Sequence, residues 1–97
     1  MEIRRHHNMP TDAAVQLTDQ ILPRFIEQAG DNVSNIQRQW DGNVLRFAFH
    51  THGMNIKGTF LVTDDEIIIE SELPFMARPF EGRVRSAIEQ QLDILLS

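Results

Sequence analysis

The stretch IQRQWDGNVLRFAFHTHGMNIKGTFLVTDDEIII, residues 36–69, decides how this chain folds. Asp41-Gly42-Asn43 separates Ile36–Trp40 from Val44–Phe49, and turn residues between two alternating runs are a hairpin signature. A two-residue loop, at Asp41-Gly42 or at Gly42-Asn43, puts Trp40 on one face with Leu45, Phe47 and Phe49. The next run offers Ile56, Phe60 and Val62 to that face, and the last offers Ile67 and Ile69. Period-two alternation across consecutive strands predicts an antiparallel meander with one face buried. A tight turn at Gly53-Met54 would pair His52 with Asn55, His50 with Lys57 and Phe47 with Phe60. A tight turn at Asp64-Asp65 would pair Val62 with Ile67, Leu61 with Ile68 and Lys57 with Glu72. Both registers keep the large apolar side chains together.

Outside the meander the period changes. Residues 2–7 read as a short first strand. Pro10-Thr11-Asp12 reads as a helix start. Ala14, Leu17, Ile21, Phe25 and Ala29 then recur at helical steps. Pro23 cannot donate a backbone hydrogen bond and crowds the preceding turn, which predicts a kink or break near Leu22. Gly30-Asp31-Asn32 ends the helix. After Leu73-Pro74, the spacing of Phe80, Val84, Ile88, Leu92 and Leu95 predicts a closing helix with its apolar stripe on the sheet. Glu81 and Arg85 are placed as an i,i+4 pair on its surface. The expectation is one α+β domain over residues 1–97, β-α-β-β-β-β-α: a mostly antiparallel five-stranded sheet with two helices on its apolar face.

Composition narrows the function classes. The content is 41% hydrophobic and 24% charged, that of an ordinary globular domain. No apolar run approaches the roughly 18 residues of a membrane span, and MEIRRHHNMP lacks the apolar core of a signal peptide. With no cysteine, disulfides, thiolate metal sites and a cysteine nucleophile are excluded. These features fit a cytoplasmic protein. Asp64, Asp65, Glu66, Glu70 and Glu72, in a stretch without cations, equal the whole net charge of −5. Arg4-Arg5 alone is not the basic stripe that phosphate backbones require, so nucleic acid is not an expected partner.

Side chains able to do chemistry are sparse. His50 and His52 would share the solvated face of a strand, opposite Phe47 and Phe49, and the register above puts Lys57 beside His50. A zinc site needs three or four protein ligands, and only Glu72, a strand further on, approaches a third. His6-His7 reads as one outward ring and one buried, hydrogen-bonded ring, that of His7. Ser34, Ser71, Ser86 and Ser97 lie in no nucleophile motif. The Gly53-x4-Gly58 spacing lacks the lysine and hydroxyl of a phosphate loop and precedes a strand. The paired carboxylates lie on a solvated hairpin, without the burial that proton-transfer work needs. The expectation is a protein that is not an enzyme and uses no metal or cofactor.

Apolar surface is the better lead. Leu61 and Ile68, cross-strand partners on the outer sheet face with Arg46 beside them, form one candidate interaction surface and the candidate interface of a homodimer. The connector LPFMARPF supplies the other, through Leu73, Phe75, Met76 and Phe80. The plainer expectation is that the connector packs under the closing helix as core; the functional one is an edge touching a lipid-like or polymer surface. A third reading places an acyl ligand between sheet and helix, among Trp40, Phe47, Phe49 and Phe60.

Taken in order, five segments resemble a known family. They are I-R-R-H-H ahead of an alanine-containing helix, W-D-G-N-V-L-R-F, G-T-F-L-V-T-D-D-E-I-I-I-E, L-P-F-M-A-R-P-F-E-G-R-V and the tail I-E-Q-Q-L-D-I-L-L. Over residues 2–96 the chain resembles the small polyhydroxyalkanoic acid system proteins, named for genes of bacterial polyester storage-granule metabolism. Two features depart from the pattern: Pro23 interrupts a helix the family runs through, and H-T-H-G-M-N-I-K-G is more polar than the usual loop. The resemblance implies a non-enzymatic cytoplasmic accessory protein of polyhydroxyalkanoate metabolism, with the granule surface or a protein of that metabolism as partner. It carries no catalytic or binding residues to transfer.

Overall fold

A computed structural model describes residues 1–96; Ser97 and the side chain of Ala29 lie outside the described residues. The strands are β1 (Glu2–His6), β2 (Val33–Asp41), β3 (Val44–Thr51), β4 (Met54–Val62) and β5 (Glu66–Glu72). The helices are α1 (Thr11–Thr18), α2 (Ile21–Ala29) and α3 (Glu81–Leu96), with short 3-10 turns at Gly30–Asn32 and Phe75–Phe80. All neighbouring strands are antiparallel, in the order β1-β5-β4-β3-β2. The predicted α+β architecture and element order stand, with the first helix in two segments.

The inner face holds Leu45, Phe47, Phe49, Ile56, Phe60, Ile67 and Ile69, packed against Ile21 and Leu22 of α2 and Ile88 and Leu92 of α3. Phe47 meets Phe60 edge-on at 5.1 Å and Phe49 stacks beside it at 6.2 Å, arrangements that aromatic quadrupoles favour. Little room remains within this core: the space beneath the helices is about 30 Å³.

The turns set the registers. Between β2 and β3, Asp41 pairs with Val44, so the loop is Gly42-Asn43. Gly42 alone has positive φ there, at 60°, the II′ pattern that suits a twisted hairpin. The β4–β5 register is as predicted, from Val62 opposite Ile67 to Lys57 opposite Glu72. Its turn is held by Thr63, whose Oγ1 accepts the backbone N–H of Glu66 at 2.9 Å.

The β3–β4 register differs from the expected one by two residues. The loop is His52-Gly53, Thr51 pairs with Met54, His50 with Asn55, Phe47 with Gly58, and Lys57 with Ala48. A tight loop of this kind has left-handed φ at both central residues, here 50° at His52 and 75° at Gly53. A loop at Gly53-Met54 would demand that conformation of methionine, whereas histidine visits it more readily. A two-residue shift preserves the faces, so the core prediction survives the error.

The break in the first helix falls at Asp19-Gln20, upstream of Leu22. Pro23 sits in the first turn of α2, where a missing N–H is tolerated. The carbonyl a helical residue 23 would have bonded is that of Asp19, and the Arg38 guanidinium donates to it at 3.2 Å instead. The Asp19 carboxylate also pairs with Arg38 and accepts the Trp40 indole N–H at 2.8 Å, tying β2 to the helix break. In α3, Arg85 pairs with Glu89 at 3.8 Å, not with Glu81, which lies 3.9 Å from the Met1 amino group.

Candidate functional site

Every helix packs on the inner face, leaving the outer face of the sheet open. Arg46, Leu61 and Ile68 lie together there, Leu61 opposite Ile68 and beside Val44. Arg46 is drawn to Asp41 at 3.1 Å. Ile68, opposite Arg4, is only 8% exposed and Leu61 is 37% exposed, so this apolar patch is small. The rest of the face is a broad polar dish in which Lys57 stands opposite Glu72.

The connector departs further from its plainer expectation. Pro74 and Pro79 bracket the turn, and the Ala77 N–H donates to the Pro74 carbonyl at 2.8 Å. A 3-10 turn repeats every three residues, so when Ala77 docks into the core, residues 75 and 76 point away from it. Phe75 is 83% exposed, Met76 73% and Phe80 52%, while Leu73 is half-buried. Apolar composition suggested burial; the prolines and the docking of Ala77 decide otherwise.

Beside this turn an apolar cleft of about 470 Å³ opens between α2, the β3–β4 turn and the start of α3. Phe25, Phe49, Ile56, Leu73, Ala77 and Phe80 supply apolar wall, while Asn32, His52 and Arg83 bring polar groups to it. Of the aromatic quartet expected to hold a ligand, only Phe49 lines this space. Trp40 is engaged with Asp19, and Phe47 and Phe60 are packed in the core. Sequence reasoning missed the cleft because its walls come from segments far apart in the chain; the signal available was the apolar connector next to Arg83.

The histidines separate. His50 stays on the outer face opposite Asn55. His52 lies past the end of β3, so strand alternation no longer governs it, and its left-handed backbone brings it to the cleft on the other side. His7 is buried, as expected: its Nε2 donates to the Thr63 carbonyl at 2.9 Å and its Nδ1 accepts the Met9 N–H at 3.2 Å. Since a carbonyl only accepts and an amide N–H only donates, the tautomer is fixed. Among the described residues no group of three or more His, Asp or Glu side chains is placed to share a metal ion, and no helix is long and apolar enough to cross a membrane.

These features define a small α+β protein with one uncovered sheet face, an apolar side cleft and an exposed aromatic turn. Over residues 1–96 the chain matches the family described as "putative polyhydroxyalkanoic acid system protein", and it belongs to that family. No curated protein and no solved structure is detectably similar to it.

Proposed function

We propose that this protein is a non-enzymatic, cytoplasmic accessory protein of polyhydroxyalkanoate metabolism that contacts the storage granule through the Phe75–Phe80 turn. Family membership supports the metabolic setting. The observation that carries the contact is the exposure of Phe75, Met76 and Phe80 on one short turn. Fully burying such a side chain returns about 1.5–3 kcal/mol, and proline bracketing limits the ordering needed to present it. Purified protein incubated with polyhydroxybutyrate granules is expected to sediment with them, and a Phe75→Ser/Met76→Ser variant to remain in solution. Sedimentation no greater than that of an unrelated soluble protein removes direct granule contact.

The uncovered outer face supports a second role, self-association through Leu61, Ile68 and Arg46. Leu61→Glu then converts a dimer into a monomer in light scattering. A mass equal to one chain for the parent protein ends that reading.

A further inference from the structure

The cleft beside the aromatic turn is walled mostly by apolar side chains, and Arg83 stands at its edge. The chain carries 14 acidic and 9 basic residues. Among the described residues no aspartate or glutamate lines the cleft, whereas Arg83 and His52 do. Arg4, Arg5, Arg38, Arg46 and Arg85 each have a carboxylate partner, whereas among the described residues Arg24, Lys57, Arg78 and Arg83 have none within ion-pairing distance. Of these four, Arg83 is the one that lines the apolar cleft. An unpaired guanidinium beside an apolar chamber suits a ligand with an aliphatic body and an anionic end.

Two further observations agree. The volume, about 470 Å³, falls in the roughly 300–1,000 Å³ range of small-molecule sites, which are mostly apolar with a few placed polar groups. His52, at the left-handed first position of the β3–β4 loop, also lines the cleft. An imidazole N–H at that position is the second polar group available to a carboxylate.

We propose that this cleft binds an aliphatic monocarboxylate, with the chain between Phe25, Phe49 and Phe80 and the carboxylate on Arg83, assisted by His52. The site adjoins the granule contact and shares Phe80 with it, while Phe75 and Met76 do not line the cleft.

Calorimetric titration of the whole protein with decanoate, with decanol and with acetate separates the two halves of the site. Decanoate is expected to bind tighter than decanol, and acetate not to register. Arg83→Gln, a change at an exposed helix position, is expected to weaken decanoate about tenfold or more and leave decanol unchanged, because a hydrogen-bonded charge pair is lost. Ala77→Leu should block both long-chain ligands, and Phe75→Ser/Met76→Ser should bind decanoate as the parent does. Amide resonances of Thr51, His52 and Ala77 should shift on saturation while those of the outer face stay in place. Absence of decanoate binding, or equal binding of decanoate and decanol with no effect of Arg83→Gln, overturns the proposal. A protein that binds decanoate but fails to sediment with granules removes only the granule reading.

Discussion

Gly58→Ala gives the sharpest test of how the sheet is packed. In a strand interior, alanine normally outperforms glycine by about 0.5–1 kcal/mol, because glycine loses more backbone freedom on folding. The structure predicts the opposite sign. A Cβ on Gly58 would lie 2.5 Å from the Glu70 carbonyl oxygen and 2.5 Å from Phe47 Cζ, with Cε1 at 2.9 Å. Comfortable carbon contacts begin near about 3.5 Å, so roughly an ångström of separation must be found. The Phe47 ring is wedged between Phe49 and Phe60, and the carbonyl belongs to the neighbouring strand. Overpacking of this kind costs about 1–3 kcal/mol. A net loss of about 2 kcal/mol is expected, since part of the strain is offset by the propensity gain. With a urea m-value of about 1–1.5 kcal/mol/M, the midpoint should fall by about 1–2 M at unchanged slope. Phe47→Leu in the same chain should recover part of the loss, by removing the ring contact but not the carbonyl contact, and a double-mutant cycle measures that coupling. A Gly58→Ala midpoint at or above that of the parent would refute the packing argument.

Three other outcomes are expected. Asp19→Ala should cost about 1–3 kcal/mol in urea unfolding followed by Trp40 fluorescence, because it releases both Arg38 and the Trp40 indole; an unchanged midpoint would mean the carboxylate is no tie between sheet and helix break. Phe75→Ser/Met76→Ser should leave thermal stability within about 0.5 kcal/mol of the parent, as for exposed positions generally; a large loss would show these side chains to be core. The Glu2 carboxyl is held below the usual range, first by its hydrogen bond with Arg4 and then by one with Glu70. A carboxyl lowered in the folded state adds stability above its unfolded pKa, and loses it as pH falls through the folded value. Arg4→Gln should therefore raise the Glu2 midpoint in a carboxyl-carbon NMR titration, and an unmoved midpoint would remove Arg4 as the cause.

Period-two alternation made the faces of β3, β4 and β5 legible, and with them most of the core, because alternation survives any even error in register. What it could not supply was where each loop closes. Asp64-Asp65 was readable, since the apolar pairs on either side constrain it. The loop near Gly53 was not, because the choice rests on whether histidine or methionine takes a left-handed φ. Pro23 announced an interruption, but its effect falls four residues upstream, on the Asp19 carbonyl whose hydrogen bond it cannot make. The connector was legible as an apolar segment and not as an exposed one, since composition does not say which residue of a tight turn docks. His52 left the expected strand face once its backbone left the strand.

The exposed turn and the cleft share Phe80 and Leu73 as wall, and Ala77 as the anchor that docks the turn. Small helices on one face of a sheet cannot cover all of its apolar margin, and here the uncovered margin is divided between a tip and a hollow. Phe80 therefore has two alternative ways to lose water: over a chain lying in the cleft, or against an external surface. If both are used, the two events are linked through that ring, and whatever factor a cleft ligand imposes on surface affinity, the surface must impose on the ligand. The sign depends on whether a seated ligand draws Phe80 inward. An inward ring takes apolar area from the tip and makes ligand and granule compete, with Phe75 and Met76 left to carry the contact. A ring kept outward by a filled cleft presents all three side chains together, and the ligand then strengthens the hold on the surface.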